Sequence, residues 1–176
     1  MMDMQDSQDN KPVLLGLIPP LTGVVALYGP EISMAARIAC MEVNESGGVL
    51  GRPLELLIGD DGSLPETAVP AANKLVDVGC SAIIGNLLSN SRISVASRVA
   101  EPRKIPYLNF SFYEGSISGR YFFNFAALPN QQIDKMIPYM AQHFGSKMYF
   151  CGNNYEWPLG SSDAAKVALR VQGGGV

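Results

Sequence analysis

Val13-Leu14-Leu15-Gly16-Leu17-Ile18-Pro19-Pro20-Leu21-Thr22-Gly23 is the stretch on which the fold turns. Its first part, Val13 to Ile18, is a short, unbroken apolar run closed by prolines and a glycine. A run of that length and composition reads as a strand buried on both faces, the habit of parallel sheets. Beyond the loop from Pro19 to Gly29 the period changes. Ile32, Ala35, Ala36, Ala39, Cys40 and Val43 recur at helical spacing, with Pro30 near the first turn and Gly47-Gly48 as the stop signal.

The same alternation continues down the chain. Residues 54–59 read as a second strand, Asp60-Asp61-Gly62-Ser63 as a turn, and residues 65–78 as a helix with Ala68, Ala71, Ala72 and Leu75 on one face. Pro70 lies inside that helix and is expected to kink or delay it. A strand over 81–85, a helix over 90–101, a strand over 106–110 and an extended aromatic segment over 121–126 follow. Strict alternation of buried strands with helices predicts an α/β fold, a doubly wound parallel sheet in three αβα layers.

A second run then begins. Ile133, Met136, Ile137, Met140, Ala141 and Phe144 make a clean helical stripe, residues 147–152 read as a strand, and Ala164, Val167, Ala168 and Val171 mark a further helix. One strand with two helices cannot close a core. The expected organisation is a disordered tail at 1–12, a ligand-binding lobe at 13–126, and the incomplete start of a second lobe at 127–176.

Composition narrows the function. The chain has 176 residues, of which 47% are apolar and 16% charged, which excludes a disordered chain or a coiled coil. A net charge of −3 argues against a general nucleic-acid surface. No uninterrupted apolar run approaches the roughly 18 residues of a membrane span. The low charged fraction predicts surface covered by another lobe or by a subunit, so a homo-oligomer is one expectation. Cys40, Cys80 and Cys151 are widely spaced, and His143 is the sole histidine, so neither a disulfide framework nor a zinc set is expected. No cofactor is expected. Met1 to Asn10 is polar and acidic and lacks the features of a signal peptide.

In open parallel sheets, ligands bind outside the carboxyl ends of the strands. The loops expected there carry Tyr28, then Leu88 and Ser89, then Asn109, Ser111 and Tyr113, and in the second run Tyr155 and Trp157. Aromatic walls with a few hydroxyls and amides suit a small, polar, mostly uncharged ligand. Ser89 and Asn90 serve equally well as helix N-caps. Catalysis finds little support. There is no nucleophile elbow, P-loop or dinucleotide fingerprint. His143 closes a predicted helix, where it complements the helix dipole. Asp60-Asp61 suits a turn better than a metal. Glu114 and Glu156 as acid and base would lack a group to orient them.

The same loops resemble the type I periplasmic-binding-protein family, in its branched-chain amino acid, amide and urea branch. The residues that carry the likeness are Gly16 to Gly23, then Asn44-Glu45-Ser46-Gly47-Gly48-Val49-Leu50-Gly51-Arg52-Pro53, then Ile83-Ile84-Gly85, Tyr113-Glu114-Gly115 and Tyr155-Glu156-Trp157-Pro158. The likeness runs over residues 13–176, and members of this family are about twice as long, with two lobes. Tyr113-Glu114-Gly115 followed by Pro129-Asn130-Gln131 is similar to the amide receptor of amidase operons and to urea-binding proteins of ABC importers. The resemblance implies ligand contact by Ser89 and Ser111 from the first lobe and by Tyr155 and Trp157 closing from the second. The cysteine pair of leucine-type binders would fall near Gly62 or Ser63 and Leu88, so that bridge is absent. The implied function is solute binding by hinge closure, for an ABC permease in the periplasm or, alternatively, for a cytoplasmic amide-sensing regulator. A ligand-free interaction lobe and an α/β enzyme remain as other classes.

Overall fold

The computed structural model describes residues 11–173. Most of the expected tail over 1–12 therefore lies outside the described residues. Five strands form one sheet: β1 (Val13–Ile18), β2 (Leu54–Ile58), β3 (Ala82–Gly85), β4 (Tyr107–Asn109) and β5 (Phe122–Asn124). Their order is β2-β1-β3-β4-β5, and every pair is parallel. The register sets Leu17 beside Ile58 and Ile84, and Leu108 beside Ile84 and Phe123.

The helices follow from this order. The β1-to-β2 crossover runs one way along the sheet and the β2-to-β3 crossover the other. Right-handed connections then place α1 (Gly29–Glu45) and α2 (Pro65–Asp77) on opposite faces. The helical run after β3, α3 (Ser89–Val95) and α4 (Glu101–Arg103) joined through a π turn at Ala96–Ala100, shares the α2 face and packs on α2. The main core lies there, where Ala68, Ala72 and Leu75 meet Val95, Val99, Ile18, Ile83 and Tyr107. Gly16 makes this closeness possible, because a Cβ in its place would stand 3.1 Å from Leu75 Cδ1. The expected three-layer α/β sheet is therefore present.

Five expectations need correction. On α1 only Cys40 and Gly29 are buried, and Ala35 and Ala39 face solvent, because the stripe that meets the sheet is Ile32, Ala36, Cys40 and Val43. Alanine is too indifferent to burial to mark a face by itself. Helix α2 runs through Pro70 without interruption. The carbonyl that Pro70 leaves unpaired belongs to Glu66, and both residues lie on the exposed side of the helix. The third helix starts at Ser89 rather than Asn90. Glu156 and Trp157 lie in the first turn of α6 (Glu156–Val171), not in the loop before it. Residues 147–152 form no strand. Apart from an isolated bridge position at Lys147 they carry no regular secondary structure, and among the described residues no neighbouring strand completes a ladder.

α1 ends as the glycines predict. The Gly48 N–H reaches the Val43 carbonyl at 2.9 Å and the Gly47 N–H that of Asn44 at 3.1 Å, which together make a Schellman stop. After β5, α5 (Pro129–Phe144) begins where the Leu128 N–H donates to Gln131 Oε1 at 2.8 Å. α5 and α6 pack on each other through a separate cluster of Ile133, Ile137, Ala165, Ala168 and Leu169.

Candidate functional site

The carboxyl ends of β1, β3 and β4 meet at one end of the sheet, and hydrogen bonds fix their loops. Asp60 holds the loop after β1. Its Oδ1 accepts from the Leu21, Thr22 and Gly62 N–H groups at 2.8, 3.1 and 2.9 Å, and its Oδ2 accepts from the Thr22 hydroxyl at 2.6 Å. Burial pulls this carboxyl upward, but the Thr22 hydroxyl and the three N–H groups outweigh it and hold it below the usual carboxylate range. Ser63 donates to the Thr22 carbonyl and accepts from the Val25 N–H. Gly23 has φ +88°, and a Cβ there would run into the Gly62 carbonyl. This close tie delivers Val25 and Tyr28 to the site.

Beneath the loops, Asp61 is fully buried. It accepts from the Ser63 N–H at 2.5 Å and from Asn86 Nδ2 at 3.1 Å, while Asn86 Oδ1 accepts from the Tyr107 hydroxyl at 2.6 Å. Burial raises the Asp61 carboxyl and drives the Tyr107 phenol far up. This row ties the loops that follow β2 and β3 to Tyr107, the first residue of β4.

A second buried network surrounds Arg92, which is 0% exposed. Its Nη2 donates to Glu114 Oε2 at 2.9 Å and to Ser89 Oγ at 2.7 Å, and its Nη1 donates to Asn109 Oδ1 at 3.3 Å. Ser89 in turn donates to Glu114 Oε2 at 2.9 Å, and Ser116 donates to Glu114 Oε1 at 2.5 Å. The guanidinium carbon lies 5.3 Å from the centroid of the Tyr113 ring. Tyr113 packs on Phe122, and its hydroxyl pairs with the backbone of Ile117. Asn109 spends its amide N–H groups on the Ser111 carbonyl and Asn124 Oδ1, each at 2.7 Å.

Above these networks lies a cavity of about 380 Å³ lined by Tyr28, Leu88, Ser89, Ser111, Tyr155 and Trp157, together with Val25, Leu87 and Phe112. The sheet loops form its floor and α6 supplies Tyr155 and Trp157. α6 comes close here, since a Cβ on Gly160 would stand 2.9 Å from Glu114 Cβ. Burial, and after it the negative charge of Glu114, raises the Tyr155 phenol. Of the residues anticipated for ligand contact, Asn109 and Tyr113 do not line this cavity. They are buried in the layer below, where they brace the Arg92 network. Ser89 is no helix cap, because Leu88 holds the N-cap position and the Ser89 hydroxyl faces Glu114. Val25, Leu87 and Phe112 were missed. Leu87 and Phe112 stood in the predicted strand-end loops, and their apolar character there was the signal.

A larger hollow of about 590 Å³ lies between α5, α6 and the segment around Phe150 to Asn153, and it shares Tyr155 and Trp157 with the first. The smaller cavity is the candidate site, because it alone opens at the carboxyl ends of the parallel strands. Among the described residues, no group of three or more His, Cys, Asp or Glu is placed to hold a metal ion.

A family model described as "Periplasmic binding protein" matches residues 12–176. The chain belongs to the periplasmic binding protein family. Among its curated relatives, the Leu/Ile/Val-binding protein BraC3 of Rhizobium johnstonii is 40% identical over 89 residues, which is 51% of this chain and 24% of that protein. The leucine-, isoleucine-, valine-, threonine- and alanine-binding protein of Pseudomonas aeruginosa is 39% identical over 79 residues, 45% of this chain and 21% of that one. Among solved structures, the leucine binding protein LivK of Thermotoga maritima superposes with TM-score 0.80 at 24% identity, covering 92% of this chain and 47% of that one. The solute binding protein of Rhodopseudomonas palustris, solved with 3,4-dihydroxy benzoic acid, gives TM-score 0.80 at 20% identity, covering 93% and 45%. At these identities the likeness speaks for the fold. The chain spans less than half the length of the relatives it matches.

Proposed function

We propose that this chain forms the ligand-docking part of a solute-binding protein that serves an ABC importer, and that its ligand is a small aliphatic amino acid. The observation that carries the reading is the cavity at the strand ends, where Val25, Leu87, Leu88 and Phe112 face Trp157 while the Ser89, Ser111 and Tyr155 hydroxyls supply a few polar points. That combination fits a short apolar side chain with a polar head. The names of the Leu/Ile/Val-binding relatives support the same ligand class.

In this reading residues 13–126 are one lobe and residues 127–176 begin another. Ligand docks first on Ser111 and Ser89, and the element carrying Tyr155 and Trp157 then closes over it. Closure is driven by contacts available only in the closed state. The partner would be a membrane permease and the compartment the periplasm. Asn109 and Tyr113 contribute from below, by holding the strand ends that present Ser111.

A second reading, a primary amide or urea, draws on one further observation. Among the described residues no charged side chain lines the cavity, and Arg92 and Glu114 neutralise each other beneath it. The test is a calorimetric and thermal-shift titration of the chain with leucine, isoleucine, valine, acetamide and urea. A ligand bound only by the native state raises stability by RT ln(1 + [L]/Kd). The expected result is a shift with leucine, isoleucine or valine that Ser111→Ala abolishes. A shift with acetamide or urea alone favours the second reading, and a flat response across the panel overturns both.

A further inference from the structure

α6 meets the sheet region at Gly160. This residue lies one turn into the helix, and a Cβ there would stand 2.9 Å from Glu114 Cβ and 3.2 Å from Glu114 Cγ. Non-bonded carbon atoms rest at about 3.5–4.0 Å, so any side chain at 160 must displace one of the two partners. Glu114 is held. Its side chain is 2% exposed, Arg92 Nη2 and the Ser89 hydroxyl each reach Oε2 at 2.9 Å, and Ser116 holds Oε1 at 2.5 Å. The atoms under Gly160 are thus the stem of a side chain whose far end is tied down. α6 is the partner that would move, because its own buried residues, Ala165, Ala168 and Leu169, cluster with Ile133 and Ile137 of α5 and not with the sheet. Glycine is a poor residue inside a helix, so its place here needs a reason beyond α6 itself.

Trp157 lies three residues before Gly160, and residues at that spacing share a face of the helix. Trp157 lines the cavity, whereas Gly160 and Glu114 do not. The height of α6 over Glu114 therefore sets the height of Trp157 over Leu87, Leu88 and Phe112. The Tyr155 phenol, next to the first residue of α6, feels the negative charge of Glu114, which agrees with this close seating. We propose that Gly160 is a specificity-determining residue: its missing side chain seats α6 on Glu114, and that seating holds Trp157 low enough for the site to favour a small ligand over a large one. The proposal deepens the ligand reading above and rests on it. Gly160 and Glu114 are positioning residues, since they act through Trp157. An alanine at 160 would lift α6 by roughly 1 Å. A small ligand then loses its contact with Trp157, while a larger one gains room.

The experiment uses the full chain with Gly160→Ala and Gly160→Leu. Alanine and leucine are better helix formers than glycine, so both variants should keep or gain helicity by far-UV circular dichroism. Trp157 is the single tryptophan and reports the seating without any ligand. Its quenching by acrylamide should rise in Gly160→Ala and rise further in Gly160→Leu. Calorimetry with leucine and phenylalanine, which share a head group, reads the size preference, and acetamide with benzamide is the matching pair for the second ligand reading. The unaltered chain should bind the smaller member more tightly. Gly160→Ala should weaken the smaller member about tenfold, the low end of what one misfitting methylene costs in an apolar pocket, and the larger member by less. A glycine needed only for packing within α6 would lose helicity on substitution, or would weaken both ligands by the same factor, and either result overturns the proposal. Unchanged quenching in both variants overturns it as well, as does tighter binding of the larger member by the unaltered chain. Binding with an unchanged size ratio in the variants defeats the proposal and leaves the ligand reading standing. A flat ligand panel with raised quenching defeats the ligand reading and the size preference, and leaves the seating of α6 on Glu114 in place.

Discussion

Helices α2 and α5 carry comparable apolar stripes, yet they end in different surroundings. α2 lies on a sheet and beside α3, and Ala68, Ala72 and Leu75 disappear into a continuous core with Ile83, Val95 and Val99. α5 packs on α6, and among its residues Ile133 and Ile137 are buried, while Met136, Tyr139, Met140 and Phe144 remain exposed. A sheet offers a broad surface to a helix, whereas a second helix offers a seam. The segment over 147–152, which as a strand would have widened that seam into a surface, has no strand beside it among the described residues. An apolar stripe announces that a face is to be covered and does not say by what.

The sharpest way to break this comparison is to cut the two cores separately. Ile83→Ala in the sheet should cost about 2–5 kcal/mol, read from the urea midpoint of far-UV circular dichroism. Ile137→Ala should leave that midpoint nearly in place and lower the midpoint seen by the fluorescence of Trp157, the single tryptophan, which sits on α6. If both changes move both probes equally, the two clusters unfold as one cooperative unit and the contrast is only apparent.

A smaller effect tests how the first region holds its loops. Asp60 has a folded pKa held below its unfolded value of about 3.9, so its contribution is present above that value and is lost as pH falls through the lowered one. Its neighbour Asp61 has a pKa raised by burial, so its contribution runs the opposite way and declines as pH rises through the raised value. Asp60→Asn should therefore flatten the acid limb of the stability profile as pH falls below about 4, measured by urea midpoints. An acid limb identical to that of the unaltered chain would show that the tie to Leu21 and Thr22 does not stabilise the loop.

The least perturbing probe is chemical. Cys151 is exposed in the second region, while Cys40 and Cys80 are buried in the first, with thiols whose pKa burial raises. A thiol reagent should modify Cys151 at once and the other two only on unfolding. Cys151→Ser should change stability by less than about 0.5 kcal/mol. Prompt labelling of Cys40 or Cys80 would mean that the sheet region opens as readily as the helix pair.

The order of elements was readable in the chain before any coordinates, and the misreadings have local causes. Val13 to Ile18 had the length and composition of a buried strand, and it became one in the position that its prolines and glycine bounded. Gly47-Gly48 closed α1 in the way that glycines close helices. The stretch over 147–152 had strand-like residues, but a strand is a relation between segments, and composition cannot supply the neighbour. At the site, Ser111 could be placed because it follows β4 at the carboxyl end of the sheet, whereas Tyr155 and Trp157 rest on the family resemblance, since the strand expected before them does not form. Asn109 and Tyr113 stood in the same loop as Ser111, and which of them faces the cavity depends on how the loop turns over β4. Position in the sequence does not carry that information.

Periodicity and punctuation act over a few residues, and for that reason they settle the strands, the helices, the parallel sheet and the end of it that gathers the loops. The buried pairing beneath the cavity is of another kind. Ser89 and Glu114 are 25 positions apart, Arg92 and Glu114 are 22 apart, and the tie from Asn86 to Asp61 spans 25. Such groups meet only after β2, β3 and β4 have joined the same sheet, because the partner of a buried charge is chosen by packing in space. Until then Ser89 is a serine at the start of a helix, free to donate or to accept. Only the folded arrangement sets Arg92 against Glu114 and brings the Ser89 hydroxyl to that pair.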